Sequence, residues 1–125
     1  MIKASCHCGA VTYEVDTAPT QVTDCNCSLC HRLGVLWAYY QQPQVRVTGA
    51  TVAYLQGDRT LTSHHCPTCG CTTHWASVDP AYGRMAVNAR LMAPELLEGL
   101  PVKRLDGAHD FKVLGVYAFG TLPTG

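Results

Sequence analysis

The segment Cys66-Pro67-Thr68-Cys69-Gly70-Cys71 sets the architecture expected of this 125-residue chain. Its Cys-Pro-x-Cys-Gly portion is a zinc knuckle in miniature. Two thiols three residues apart suit one metal ion, Pro67 stiffens the turn, and Gly70 lets the backbone fold back toward the sulfurs. On either side, Thr60 to His65 and Thr72 to Val78 read as strands, and Asp79-Pro80 closes the second.

Outward from the knuckle, the same extended pattern continues. Val11, Tyr13 and Val15 alternate with polar neighbours, as do Met85, Val87 and Ala89. Val45-Arg46-Val47 and Thr51 to Leu55, separated by Gly49-Ala50, predict a hairpin. A last strand is expected from Phe111 to Phe119, with Val113, Tyr117 and Phe119 on one side. Helix is scarce. Pro94 to Glu98, followed by Gly99, has proline at its start and glycine past its end. A second turn is expected from Ser28 to Leu33, with Ser28 as N-cap and Gly34 as its stop. The expectation is a mainly β fold with very little helix, built as small twisted antiparallel sheets around a four-cysteine zinc knuckle site. The whole chain, 1–125, is read as a single domain.

Composition narrows the function. The chain is 47% hydrophobic and 14% charged, enough apolar material for a core. Nine basic residues balance nine acidic ones, so no basic stripe marks a nucleic-acid partner. The longest apolar stretch, Val35 to Tyr40, is too short to span a membrane. Met1 to Cys6 contains no apolar targeting segment, which makes the cytoplasm the expected location. There, eight cysteines point to metal more than to disulfides. Close Cys-x-Cys and Cys-x-x-Cys groups suit one ion each, whereas disulfides usually join distant segments.

Three groups are present: Cys6-His7-Cys8, Cys25-Asn26-Cys27-Ser28-Leu29-Cys30 and the knuckle. Pairing Cys27 and Cys30 with Cys66 and Cys69 as a ribbon would strand Cys6 and Cys8. It would also need a gap beyond the ~15–20 residues usual for ribbons. One closed four-cysteine site and one three-cysteine site account for the groups better, and they direct attention to Cys25, Cys27 and Cys30. Three thiolates leave a coordination position open, unless Cys71 or a histidine completes a second structural site.

The order Cys6-His7-Cys8-Gly9-Ala10-Val11, then Asp24-Cys25-Asn26-Cys27-Ser28-x-Cys30-x-Arg32-x-Gly34, then Cys66-Pro67-x-Cys69-Gly70 resembles the glutathione-dependent formaldehyde-activating enzyme family. Val87-Asn88-Ala89-Arg90-Leu91 and Leu105-Asp106-Gly107-Ala108 resemble the downstream part of that pattern, so the likeness runs from about Ala4 to Asp110. His65 and Cys71 depart from it. The resemblance implies a structural zinc on Cys6, Cys8, Cys66 and Cys69 and a catalytic zinc on Cys25, Cys27 and Cys30, two ions per chain. It also implies glutathione as co-substrate and a reaction with formaldehyde that gives S-(hydroxymethyl)glutathione, a carbon–sulfur lyase reaction run in reverse.

The residue types agree with that implication. Zinc on three thiolates is a weak Lewis acid, yet it holds a fourth soft thiolate well and keeps it deprotonated. The partners expected are therefore a small thiol and an aldehyde. A non-catalytic zinc module binding a protein or small thiol is the competing reading, and a redox sensor is a third. His7, His31, His64 and His65 sit near cysteines without a zinc-motif spacing, His31 being the nearest to a ligand position. Trp37 and Tyr39 belong either to the core or to a substrate pocket wall. Asp24 and Arg32 either orient ligands and bind a glutathione carboxylate or are solvated charges.

Overall fold

The computed structural model describes residues 1–57 and 59–120. It is mainly β, with two sheets. The smaller holds β1 (Ile2–Ser5), β2 (Thr12–Val15) and β5 (Val45–Thr48), in the order β1-β2-β5. The larger is built from β3 (Val22–Cys25), β4 (Trp37–Gln41), β6 (Val52–Gln56), β7 (Leu61–His65), β8 (Thr72–Ser77), β9 (Arg84–Asn88), β10 (Pro101–Leu105) and β11 (Val113–Ala118). Their order is β11-β10-β3-β4-β9-β8-β7-β6. Antiparallel pairing dominates, and β3 and β10 run parallel, with Leu105 opposite Cys25.

Among the described residues, two short α-helices and three single-turn 3-10 segments interrupt the strands. Helix α1 (Ser28–Leu33) follows β3 at once, and Gly34 ends it in the left-handed region. Cys27, not Ser28, is its N-cap: the Cys27 sulfur accepts the Cys30 N–H at 3.3 Å. Helix α2 (Pro94–Leu97) starts at its proline as expected, ahead of Gly99. No helix among the described residues is long and apolar enough to cross a membrane.

The predicted hairpin between Val45 and Leu55 does not form. Val45 pairs with Val15 and Val47 with Tyr13, while Val52 pairs with His65 in the other sheet. The chain changes sheets at Gly49-Ala50. Gly49, with a φ of +105°, passes so close to the Ala10 carbonyl oxygen that a Cβ would collide with it, so this crossing needs a glycine.

Alternation along β4 divides the molecule. Ala38 and Tyr40 point into the main core with Val15, Val22, Val87 and Val102, where the small sheet covers one face of the large one. Trp37 and Tyr39 point to the opposite face, where Val35, Trp75 and Ala86 form a second apolar cluster. Strand β11 is set to the same rule at its far end. Tyr117 and Phe119 pack on the main core, but Val113 is 53% exposed, because the register shifts between Arg104 and Leu105.

Candidate metal centres and the cleft beside them

Each half of the first cysteine group is the tip of a hairpin. The Cys6 N–H donates to Val11 O at 2.9 Å, and the Cys66 N–H donates to Cys71 O at the same distance. Gly9 and Gly70 then send their N–H groups back to Cys6 O and Cys66 O at 3.2 and 3.0 Å. These two knuckles, one from each sheet, face each other and bring the sulfurs of Cys6, Cys8, Cys66 and Cys69 within 4.8 Å of one another. The separations Cys6–Cys8 and Cys8–Cys66 are 3.7 and 3.6 Å. A tetrahedral ion with metal–sulfur bonds of about 2.3 Å has sulfur–sulfur edges of about 3.8 Å, so the set fits such an ion. Backbone amides of Val11 and Thr68 point at Cys6 and Cys66 at 3.3 and 3.4 Å. The amide of Cys71, and after it that of Cys8, draw the Cys69 thiol down to about 5. Cys71 itself stays outside the four-sulfur group and packs against it.

The second group is assembled from one continuous turn. Cys25 ends β3, Cys27 caps α1, and Cys30 lies in the first turn of that helix, so their three sulfurs come within 4.8 Å. Among the described residues no histidine or carboxylate joins them, and His31 is exposed on the helix. The indole N–H of Trp37 donates to the Cys30 sulfur at 3.2 Å. The hydrogen bond shared by Cys25 and Cys30 lowers the first thiol to about 6 and pushes the second far up, assisted there by burial. That shared hydrogen bond favours the thiolate form on Cys25 over Cys30.

A loop after β10 closes over this turn. Asn26 holds it on both sides: its Nδ2 donates to Asp106 Oδ1 and its Oδ1 accepts the Ala108 N–H, each at 3.0 Å. Between them Gly107 lies against the sulfurs. A Cβ there would collide with Cys25 Sγ and stand 3.4 Å from Cys27 Cβ. Further support comes from the Asn88–Arg90 segment. Asn88 Oδ1 accepts from the Leu36 and Arg90 amides, and the Arg90 guanidinium donates to Gly34 O at 2.9 Å, fixing the end of α1.

The triplet opens into a cleft of about 1080 Å³ on the face of the large sheet away from the core. Trp37, Tyr39 and Trp75 line it, the Tyr39 and Trp75 rings meeting edge to face at 6.3 Å. Trp37 and Tyr39 are therefore pocket walls, while Tyr40 is core and donates its hydroxyl to Thr17 O. Asp24 and Arg32 do not line the cleft, and Arg32 turns back to donate to Ser28 O at 2.8 Å. The charges that do line it, Arg59, Arg84 and Lys103 with Asp79, come from distant strands and loops and carry no motif that sequence reading could isolate.

The comparison with known proteins follows this geometry. Residues 1–98 match the family described as glutathione-dependent formaldehyde-activating enzyme. The chain belongs to that family. It is also similar to a Rhodobacter sphaeroides protein of known crystal structure, with 33% sequence identity and a TM-score of 0.68. That likeness covers 81% of this chain and 99% of the other. None of the curated proteins gives a significant match. Both cysteine groups of the formaldehyde-activating fold could hold metal ions here, and membership links the chain to glutathione and formaldehyde chemistry.

Proposed function

We propose that this protein is a zinc-dependent enzyme of the carbon–sulfur lyase type, joining formaldehyde to glutathione or a similar small thiol. One observation carries the reading: three sulfurs, unaccompanied by another ligand among the described residues, line a cleft of about 1080 Å³. In this reading Cys6, Cys8, Cys66 and Cys69 hold a structural zinc, and Cys25, Cys27 and Cys30 hold a second one. Bound there, zinc supplies one thiophilic position that keeps an incoming thiol ionised at neutral pH.

The protein's own groups do the rest. Trp37 and the Cys27–Cys30 turn fix the sulfurs through N–H donors at 3.2 and 3.3 Å. Gly107 lets the loop after β10 close on the Cys25 sulfur without a side-chain clash. The aromatic wall displaces water from the thiol, which raises its nucleophilicity. The substrate sulfur then attacks the formaldehyde carbon, forming the carbon–sulfur bond as the carbonyl π electrons move to oxygen. That oxygen takes a proton from water at the open side of the cleft, balancing the proton the thiol released to solvent on ionising, and S-(hydroxymethyl)glutathione results.

The test is exchange NMR of formaldehyde with glutathione in the presence of zinc-loaded protein. Formation of the adduct should exceed the spontaneous rate with wild type and return to background with Cys27→Ser. A zinc-loaded wild type that accelerates the reaction of no small thiol would leave a binding module in place of an enzyme.

A further inference from the structure

Thr23 carries a buried polar atom that the fold does not use. The residue is only 1% exposed, yet its Oγ1 makes no aligned hydrogen bond, and among the described residues no other buried side-chain nitrogen or oxygen is left in that state. An unsatisfied buried hydroxyl costs stability, so its retention needs a reason. Thr23 is opposite Trp37 on one neighbouring strand and Lys103 on the other, and both of these line the cleft. Opposed residues of paired strands share a face, which puts the Thr23 side chain on the cleft side of β3, two residues before Cys25.

Tyr39 supplies a second hydroxyl of the same kind. Tyr13 and Tyr40, the buried tyrosines of the main core, donate to Asn88 O and Thr17 O at 2.9 and 2.8 Å. The Tyr39 hydroxyl, on the cleft side, has no carbonyl to donate to among the described residues. Its Cα lies about 7 Å beyond the level of Thr23, on the side away from Cys25, but the hydroxyl reaches back. Burial raises the phenol above its ordinary pKa; the nearby Thr23 hydroxyl and the Arg84 charge ease its ionisation, and the Cys25 and Cys30 sulfurs oppose it. Thr23 and two sulfurs of the triplet are therefore within its electrostatic reach. The ring is held in place by the Arg84 guanidinium, 4.2 Å above its centre, and by the edge-to-face contact with Trp75.

We propose that Tyr39 is a catalytic hydrogen-bond donor, its hydroxyl meeting the aldehyde oxygen as negative charge develops there, and that Thr23 is the positioning residue behind it. This rests on the function proposed above. As the carbon–sulfur bond forms, the carbonyl π pair moves to oxygen. The Tyr39 O–H donates to that oxygen without parting from its proton, and the Thr23 O–H donates in turn to the Tyr39 oxygen. Each bond in such a chain polarises the next. Water still supplies the proton of the product. A phenol kept neutral by its surroundings is suited to this task, because it can donate throughout the step. The Thr23 hydroxyl, a cost in the resting protein, gains its partner when Tyr39 is drawn toward the oxyanion.

The experiment compares zinc-loaded wild type with Tyr39→Phe, Thr23→Val and Thr23→Ser, in formaldehyde–glutathione exchange and in thermal melts without substrate. Tyr39→Phe keeps the ring and should lower kcat about tenfold, the loss of one hydrogen bond to a charged acceptor, with KM for glutathione unchanged. Thr23→Val should lower kcat about threefold yet melt at a higher temperature than wild type, since a methyl group of the same shape replaces an unsatisfied hydroxyl. Thr23→Ser should keep kcat near wild type. Tyr54→Phe, which removes an exposed hydroxyl, should change neither readout. Wild-type kcat in Tyr39→Phe, or a raised KM with kcat unchanged, would overturn the inference and leave the proposed reaction standing. A Thr23→Val protein no more stable than wild type would show that the hydroxyl already serves the fold, and Thr23 would lose its positioning role. A wild type that accelerates the reaction of no thiol would end the enzymatic reading and the donor role together.

Discussion

At the scale of single residues, the second cysteine group depends on an atom that is missing. Gly107 is where the loop after β10 touches the sulfurs, and any side chain there occupies the place of Cys25 Sγ. Gly107→Ala should lower bound metal from two ions per chain to about one while the protein still melts cooperatively, because the four-sulfur knuckle lies elsewhere. Elemental analysis of the folded variant checks this, and two retained ions would contradict it. The cysteines themselves are legible in the sequence, since thiol spacing on a turn is local chemistry. Gly107 and Asn26 are not. A glycine announces only freedom, and the two meet across 80 residues or more of chain through the Asn26–Asp106 and Asn26–Ala108 contacts. The cations Arg84 and Lys103 escape for a similar reason: strand pairing, not sequence proximity, brings them to the wall of the same cleft.

At the scale of elements, local signals survive and pairings do not. The strands flanking the Cys66–Cys71 knuckle are legible because turn chemistry dictates them. The end of β5 is not, because Val45 and Val47 declare a face by alternation without naming the partner strand. The β7–β8 pair also holds a group that the sequence does not single out. His74 lies opposite His64, their rings stacked 4.3 Å apart, and only 6% of His74 is exposed. Burial, reinforced by the neighbouring His64, lowers its pKa to about 4 from an ordinary 6.5. Between those values the unfolded chain binds a proton that the folded chain does not. This contribution to stability is therefore complete above about pH 6.5 and is lost as the pH falls toward 4, by up to ~3 kcal/mol. The difference in urea-unfolding free energy between wild type and His74→Gln should shrink by that amount across the window. A difference independent of pH would show that His74 titrates normally in the fold.

At the scale of the whole molecule, the first cysteine group is a tie between sheets. Cys6 and Cys8 end the β1–β2 hairpin of the small sheet, and Cys66 and Cys69 end the β7–β8 hairpin of the large one. A structural zinc of this kind contributes on the order of 10 kcal/mol, comparable to the entire stability of a small domain. Cys66→Ser should therefore yield unfolded or insoluble protein. Cys27→Ser should fold, since the turn it occupies joins β3 to α1 within one sheet. Circular dichroism melting of the two variants distinguishes these expectations, and an unchanged melting temperature in Cys66→Ser would show the tie to be dispensable. The same division of labour underlies the central claim, that the triplet holds its ion with one position reserved for a substrate thiolate. Cadmium NMR of the fully cadmium-substituted protein tests it most directly, because the shift reports how many sulfurs surround each ion. Two resonances are predicted: one in the four-sulfur range that does not respond to glutathione, and one in the three-sulfur range that moves to four-sulfur values on adding glutathione but not S-methylglutathione. A single resonance, or two that ignore glutathione, would contradict it.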